Sequence, residues 1–216
     1  MPLPRNRFTK NAIVELNKFK RAVRGSKKFN LVFGQAVELP LRYIPSYVDV
    51  YSKLLEHLPQ HSIKKIKIAD FGSGASFFSR FLQSRGATAF SIDKELSLLA
   101  LAKKTGLKKI VQGDILKLPF KKESLDCVVM HNFFDSFYLQ RLNLDPRKIG
   151  EQVFNVLKPN GLLVIKNPKL MARKSVGQLK EFHYDLNWLS RSGFQIIDLP
   201  DSIHDIAVLK KPVQEH

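Results

Sequence analysis

The sequence predicts an α/β fold built on a doubly wound, mostly parallel sheet of seven strands, and two observations lead to it. A short apolar run at 66–71 is followed at once by Gly72 and Gly74, and then by an apolar helical pattern that ends at Gly86. This order of strand, glycine turn and helix begins a βαβ unit. Further apolar runs then alternate with helical patterns, and the last two runs fit an antiparallel pair.

Seven apolar segments have the length and composition of buried strands: 66–71, 87–92, 109–113, 125–130, 162–167, 194–199 and 206–210. Residues 158–161 are expected to form the turn into the fifth strand. The spacing of these apolar segments along the chain therefore predicts that the first strand and the six that follow it form a single sheet.

Helices are predicted between these strands. One covers 146–157, with Asp145 as its cap, and another covers 184–192. Because two prolines oppose a regular helix within 29–45, the first helix of the domain is expected to begin at Ser46.

Polar residues stand at the C-terminal ends of the first four strands: Asp70, Asp93, Asp114 and His131. Since the carboxyl ends of parallel strands meet at one edge of a sheet, these residues are expected to line one crevice. Asp93 lies 19 residues after Gly74 (93 − 74), where an acid can accept hydrogen bonds from two ribose hydroxyls. Dinucleotide binding would require a third glycine at Phe77, so the pattern favours a nucleoside ligand without phosphates.

These motifs resemble those of class I S-adenosylmethionine (SAM)-dependent methyltransferases, in particular the methyltransferase type 11 group. The resemblance covers about residues 46–211 and rests on six segments in order: Asp70-Phe71-Gly72-Ser73-Gly74, Asp93, Gly113-Asp114, Leu118-Pro119-Phe120, 125–129 and 156–165. It implies a Rossmann-like sheet and SAM as the cofactor. The sequence departs from the group at Ser76, where a third glycine is usual.

The resemblance also implies roles for individual residues. Asp70 and the glycine turn, including Gly72, Ser73 and Gly74, would hold the methionine end of SAM. The ribose hydroxyls would be bound by Asp93, with Lys94 beside it. Asp114 would accept a hydrogen bond from the adenine amino group, and Ile115 would line the adenine face. His131 would lie near the methyl group, and His131 and Asn132 are the candidate catalytic residues. For His131, a general base and a histidine that only packs or hydrogen-bonds remain alternatives.

The charge of the chain is strongly positive: 36 Lys and Arg residues against 19 Asp and Glu give a net charge of +17. Such a surface favours polyanionic partners. Residues 1–30 hold nine of these cations and one acid, so a basic N-terminal extension (1–45) is expected before the methyltransferase domain (46–216). Its helical pattern could belong to a docking helix, an RNA-binding helix or an organellar presequence.

The preferred substrate at this point is RNA, ribosomal or transfer, bound through Lys18, Lys20, Arg21, Arg24 and the basic loop at 169–180. The lysines of 103–109 are expected to be solvated surface. A methyltransferase for a protein or small molecule is one alternative. A catalytically silent RNA-binding or assembly factor is another, which Ser76 leaves open.

The single cysteine, Cys127, excludes a disulfide within the chain and a cysteine cluster for zinc, and no metal is expected. Because it falls inside the fourth strand, Cys127 is expected to pack and not to serve as the nucleophile of pyrimidine C5 methylation. No apolar run approaches the length of a membrane span. An intracellular, cytoplasmic protein is therefore expected, or an organellar one if the N-terminus is a presequence.

Overall fold

The computed structural model describes residues 13, 14, 17, 21, 39–104, 106–131, 145–166, 187–199 and 206–213. The chain divides into two compact units, Met1–Gly113 and Asp114–His216. Its strands belong to a seven-stranded sheet with the order β3-β2-β1-β4-β5-β7-β6. The predicted fold class is confirmed.

From residue 39 onward, the first unit contains helix α1 (Leu39–His57), followed by a short 3₁₀ helix (Pro59–His61). It continues with β1 (Lys67–Phe71), α2 (Phe77–Ser84), β2 (Thr88–Asp93), α3 (Leu96–Lys104) and β3 (Ile110–Gln112). β2 pairs in parallel with β1 on one side and with β3 on the other. The three strands therefore end at the same edge, which brings Asp70, Asp93 and the residues after β3 to that edge.

Aromatic rings hold α1 and α2 together in this unit. The ring of Tyr47 stacks on Phe78 at a centroid distance of 5.2 Å, and Tyr51 meets Phe81 edge-on, also at 5.2 Å. Phe81 is fully buried. These contacts fix the helix that follows the glycine turn.

The second unit contains β4 (Leu125–His131), α4 (Pro146–Val156), β5 (Leu157–Lys166), α5 (Asn187–Arg191), β6 (Gln195–Asp198) and β7 (Ile206–Lys210). β4 and β5 are parallel, whereas β7 runs antiparallel to both β5 and β6, as predicted. The predicted cap of α4 is also confirmed, since the Asp145 carboxylate accepts a hydrogen bond from the Arg147 amide at 2.9 Å. All seven predicted strands are present, with ends shifted by a few residues.

The expectation that prolines exclude a helix before Ser46 is wrong. Helix α1 begins at Leu39 and contains both Pro40 and Pro45. Pro40 lies in the first turn, where its missing N–H would have no partner within the helix. Pro45 is further along and loses the hydrogen bond that its N–H would have donated to the carbonyl of residue 41. The contacts that the later turns of α1 make with α2 outweigh this loss.

The turn predicted at 158–161 lies inside β5 and not before it. Leu157 pairs with Leu125, whereas Leu162 pairs with Cys127, so β5 has three more residues than β4 between the two pairs. Gly161 closes this irregular segment, because a Cβ there would lie 2.8 Å from the carbonyl oxygen of Lys158. The prediction of a separate turn before the fifth strand is therefore wrong, since these residues belong to β5.

Near the N-terminus the structure describes four residues, all helical: Ile13, Val14, Asn17 and Arg21. Their side chains are exposed. The other residues of the predicted extension up to 38, among them Lys18, Lys20 and Arg24, lie outside the described residues. Among the helices that the structure describes, none is both long and apolar enough to cross a membrane.

Candidate cofactor site

The loop between β1 and α2 has an unusual backbone. Three alternate residues in it have left-handed conformations: Gly72 (φ 66°), Gly74 (φ 54°) and Ser76 (φ 65°). Glycine adopts this region freely, but a serine there is strained by about 1–2 kcal/mol. A Cβ placed on Gly74 would meet nothing within 4 Å. The loop therefore offers open space along its backbone, where a ligand can approach closely.

Asp93, the last residue of β2, holds this loop. Its Oδ2 accepts a hydrogen bond from the Gly74 amide at 2.7 Å, and its Oδ1 accepts one from the Glu95 amide at 2.8 Å. The Ser73 amide also donates to the carbonyl of Ile92 at 3.1 Å. The spacing of 19 residues between Gly74 and Asp93 thus corresponds to a direct contact.

Asp70 is buried at the end of β1, with 2% of its surface exposed. The Ser79 hydroxyl of α2 donates to its Oδ2 at 2.7 Å. Burial raises the pKa of Asp70 to about 7, and the charge of Asp93 adds to the rise, whereas hydrogen bonds from the hydroxyl and amide of Ser79 lower it. The carboxyl group is therefore partly protonated near neutral pH, and its ionisation depends on its contacts with Ser79 and on the charge of Asp93.

Three serine hydroxyls fasten the loop to β2, and we call Ser73, Ser76 and Ser91 the serine cluster. The Oγ of Ser91 lies 2.7 Å from that of Ser73 and within hydrogen-bonding distance of that of Ser76. Ser76 also donates to the carbonyl of Gly74 at 3.3 Å. Ser76 and Ser91 are buried. Sequence reasoning missed Ser91 and Ser79; for Ser91 the available signal was a polar residue in an otherwise apolar strand.

Lys94 follows Asp93 on an exposed turn. Its carbonyl oxygen accepts a hydrogen bond from the side-chain amide of Gln112 in β3, at 3.3 Å. The structure therefore brings Asp70, Ser73, Gly74 and Asp93 together within the first unit and places Lys94 at the rim of this group.

The remaining predicted residues belong to the second unit. Asp114 is exposed, and its Oδ1 caps a turn by accepting a hydrogen bond from the Leu116 amide at 2.9 Å. Ile115 is buried. The roles in adenine binding that the resemblance implies for Asp114 and Ile115 stay predictions, and the Asp114 carboxylate is engaged in its own turn.

His131 ends β4 and lies opposite Lys166 in the pairing with β5. Burial, together with the smaller effect of the Lys166 ammonium group, lowers the pKa of His131 to about 3. The imidazole is therefore neutral at pH 7 and a weak base. Lys166 itself is buried. Asn132, the other candidate for catalysis, lies outside the described residues.

Cys127 packs inside β4 with no exposed surface. Burial raises the pKa of its thiol far above the ordinary value, and the Asp126 carboxylate adds to the rise. A thiol that stays protonated and inaccessible cannot serve as a nucleophile. The expectation that Cys127 packs is confirmed.

A comparison with protein families matches residues 69–165, a little under half of the chain, to a family described as a methyltransferase domain. The matched segment runs from the end of β1 to the end of β5. The chain carries a class I methyltransferase domain. SAM is its cofactor, as the resemblance implied.

Curated and solved relatives of the methyltransferase agree with this fold. The malonyl-[acyl-carrier protein] O-methyltransferase of Pectobacterium atrosepticum is 24% identical over 85% of this chain and 67% of that protein. A structure of a protein described as an SAM-dependent methyltransferase from Methanococcus maripaludis matches with a TM-score of 0.61 at 18% identity, covering 81% of this chain and 88% of that one.

A second solved structure is that of another protein, in a complex described as one between the Haloferax volcanii Trm112 methyltransferase activator and a methyltransferase. It matches with a TM-score of 0.58 at 16% identity and covers 82% of this chain and 94% of that one. At these identities both structural matches establish the fold of the methyltransferase and leave its substrate open.

Proposed function

We propose that the methyltransferase holds SAM against the glycine turn and Asp93. The observation that carries this proposal is the open space beside Gly74, whose backbone amide Asp93 fixes at 2.7 Å. Gly72 and Gly74 let a ligand approach the backbone without a Cβ in the way. Asp93 offers carboxylate oxygens for the ribose hydroxyls, and Lys94 borders them.

Asp70 is proposed to favour the cationic methionine end, and Asp114 and Ile115 to receive the adenine. SAM bound there would supply an electrophilic methyl group on a sulfonium. Methyl transfer is an in-line displacement, so the contribution of the protein is chiefly orientation. His131 and Asn132 stay candidates for contact with the acceptor. The low pKa of His131 favours a hydrogen-bonding role over that of a general base.

We further propose RNA as the acceptor, and the distribution of charge supports this. Among the described residues of the first unit, seven exposed lysines besides Lys94 come from three separate segments. We call them the lysine rim: Lys64, Lys65, Lys67, Lys103, Lys104, Lys108 and Lys109. No acidic residue occurs in 57–69 or in 99–113.

The lysine rim lies at the edge where the parallel strands begin, opposite the glycine turn. Lys67 is the first residue of β1, and Lys108 and Lys109 directly precede β3. A strand of five residues spans about 17 Å, so a folded RNA that contacts the rim can also reach the cofactor edge. Arg21, in the basic N-terminal extension, is exposed as well. Exposed cations of this kind supply the electrostatic part of RNA binding.

A second candidate acceptor is the carboxylate of an acyl group held on a carrier protein. It is favoured by the similarity to the malonyl-[acyl-carrier protein] O-methyltransferase. A carboxylate is already ionised at neutral pH and needs no base, which suits a His131 with a pKa of about 3. The buried Lys166 beside His131 carries a charge that would attract such an acceptor.

Transfer of tritium from labelled SAM separates these acceptors. The whole chain is incubated with total RNA and, in parallel, with total protein extract, and Asp93→Ala serves as the control for transfer through the proposed site. Label in RNA that is lost with Asp93→Ala supports the RNA proposal. Label in protein alone contradicts it and favours the carrier-protein candidate. Binding of SAM without transfer to either fraction would favour a silent assembly factor.

A further inference from the structure

The serine cluster occupies the place where related loops have a third glycine. Ser76 keeps the left-handed backbone that this place requires (φ 65°), although glycine would adopt it without strain. Ser76 is 1% exposed, and Ser91, whose hydroxyl meets that of Ser76, is fully buried. A buried hydroxyl is unfavourable unless it is hydrogen-bonded, so each of these two serines depends on the other.

The hydroxyls can form one directed chain that satisfies every donor. Ser73 donates to Ser91, Ser91 donates to Ser76, and Ser76 donates to the carbonyl of Gly74. The amide of Gly74 is held from the other side by Asp93. The hydroxyl chain and Asp93 together therefore fix the two peptide groups of Gly74, the residue with open space beside it.

We propose that Ser73, Ser76 and Ser91 are positioning residues, which hold the loop at Gly74 in the shape that binds SAM. The hydroxyl chain takes the place of the third glycine: the hydrogen bonds of Ser76 compensate for its strained backbone. This proposal rests on the cofactor site proposed above. Because the serines act through the loop, they control the affinity for SAM and not the rate of methyl transfer once SAM is bound.

The first test is Ser91→Ala, which removes the middle of the chain. SAM affinity, measured by calorimetry on the whole protein, should fall by about 10-fold, the equivalent of one net hydrogen bond. KM for SAM should rise by the same factor, whereas kcat at saturating SAM should not change. Ser84→Ala is the matched control, since it removes a hydroxyl bound to the Phe81 carbonyl at the far end of α2. It should leave SAM affinity unchanged.

The second test is a double-mutant cycle with Ser76→Gly. Alone, this change relieves the strained φ but removes a hydrogen bond, and it should weaken SAM binding by about 3-fold. Combined with Ser91→Ala, it should cause no further loss, because glycine leaves no unpaired hydroxyl and fits the left-handed position. Coupling between the two sites is thus the signature of the hydroxyl chain.

Several results would overturn the proposal. One is a SAM affinity of Ser91→Ala within 2-fold of wild type. A second is a double variant whose loss of SAM affinity is the sum of the two single losses. A third is a loss of SAM binding in Ser91→Ala that is fully explained by the fraction of unfolded protein, as measured by denaturant titration. If Ser91→Ala does not fold, Ser91→Cys replaces it, since a thiol is a weaker donor of similar shape and should give an intermediate loss. A wild-type protein that binds no SAM would overturn the cofactor site together with the serine cluster.

Discussion

At the scale of single residues, Asp93 connects the loop to the cofactor. Its two carboxylate oxygens accept hydrogen bonds from the backbone amides of Gly74 and Glu95. The same carboxylate is proposed to bind the ribose hydroxyls of SAM. Asp93→Ala should weaken SAM binding by about 1.5–3 kcal/mol, the range for hydrogen bonds to a charged group. Calorimetry at fixed temperature and salt measures this loss.

Asp145→Ala is a matched control for this prediction. Asp145 also accepts a backbone amide through its carboxylate, but at the start of α4. Losing that cap should lower the free energy of unfolding by about 1 kcal/mol and leave SAM affinity unchanged. Normal SAM binding by Asp93→Ala would place the ribose elsewhere.

The buried Asp70 makes stability depend on pH. Its pKa is about 7 in the folded protein and near 3.8 when unfolded, so the folded state binds more protons between these values. The contribution of Asp70 to the free energy of unfolding is therefore present below about pH 4 and is lost as the pH rises to 7. Asparagine does not titrate, so Asp70→Asn does not lose stability in this way as the pH rises. Its side-chain amide oxygen can still accept the hydrogen bond from the Ser79 hydroxyl.

The stability of Asp70→Asn relative to wild type should thus increase by a few kcal/mol from pH 4 to pH 7 and level off above. Urea unfolding at several pH values measures the difference between the two proteins. A difference that does not change with pH would mean that Asp70 titrates normally.

How far the sequence predicts the site depends on the kind of contact. The glycines and Asp93 were predictable, because their spacing along a βαβ unit determines where they meet. The serine cluster was not, because Ser73, Ser76 and Ser91 are brought together by the parallel pairing of β1 and β2, which places Ser91 beside Asp70. The low pKa of His131 was equally hidden, since it depends on burial and on Lys166 across the strand pairing.

At the scale of elements, α1 shows where local rules fail. The prolines predicted a break, but tertiary contacts of α1 maintain the helix from Leu39 onward. Pro45→Ala should restore the missing hydrogen bond to residue 41 and raise the free energy of unfolding by about 1–3 kcal/mol. Thermal or urea unfolding measures the gain.

Pro59 provides the comparison for this change. It stands at the start of the 3₁₀ helix, where proline is favourable, so Pro59→Ala should give no gain or a small loss. Equal effects at both prolines would show that Pro45 does not strain α1. The strands, by contrast, were predicted well, because buried parallel strands are short continuous apolar runs, and their length and the turn residues that flank them distinguish them from buried helices.

At the scale of the whole molecule, the question is where the net charge of +17 acts. Three sets of four glutamine substitutions remove the same charge from different places. The arm set is Lys18, Lys20, Arg21 and Arg24; the rim set is Lys64, Lys65, Lys108 and Lys109; the control set is the exposed Lys117, Lys121, Lys122 and Lys148. RNA affinity is measured for each as a function of salt.

Each lost phosphate contact should reduce the slope of log affinity against log salt by about 0.7–0.9. The arm and rim sets should therefore weaken RNA binding strongly at low salt and little at high salt, and the control set should leave the slope unchanged. SAM affinity should stay the same in all three. Slopes equal to that of wild type in both the arm and the rim set would remove the support for an RNA acceptor.

The most direct test of the central claim is calorimetric titration of the whole chain with SAM. The ordered set of motif residues along the sequence, Asp70, Gly72, Gly74, Asp93 and Asp114, predicts one SAM per chain with a dissociation constant in the micromolar range or tighter, about −8 kcal/mol or better. The same titration with Asp93→Ala should give clearly weaker binding. No binding of SAM by a wild-type protein that is demonstrably folded would contradict the account.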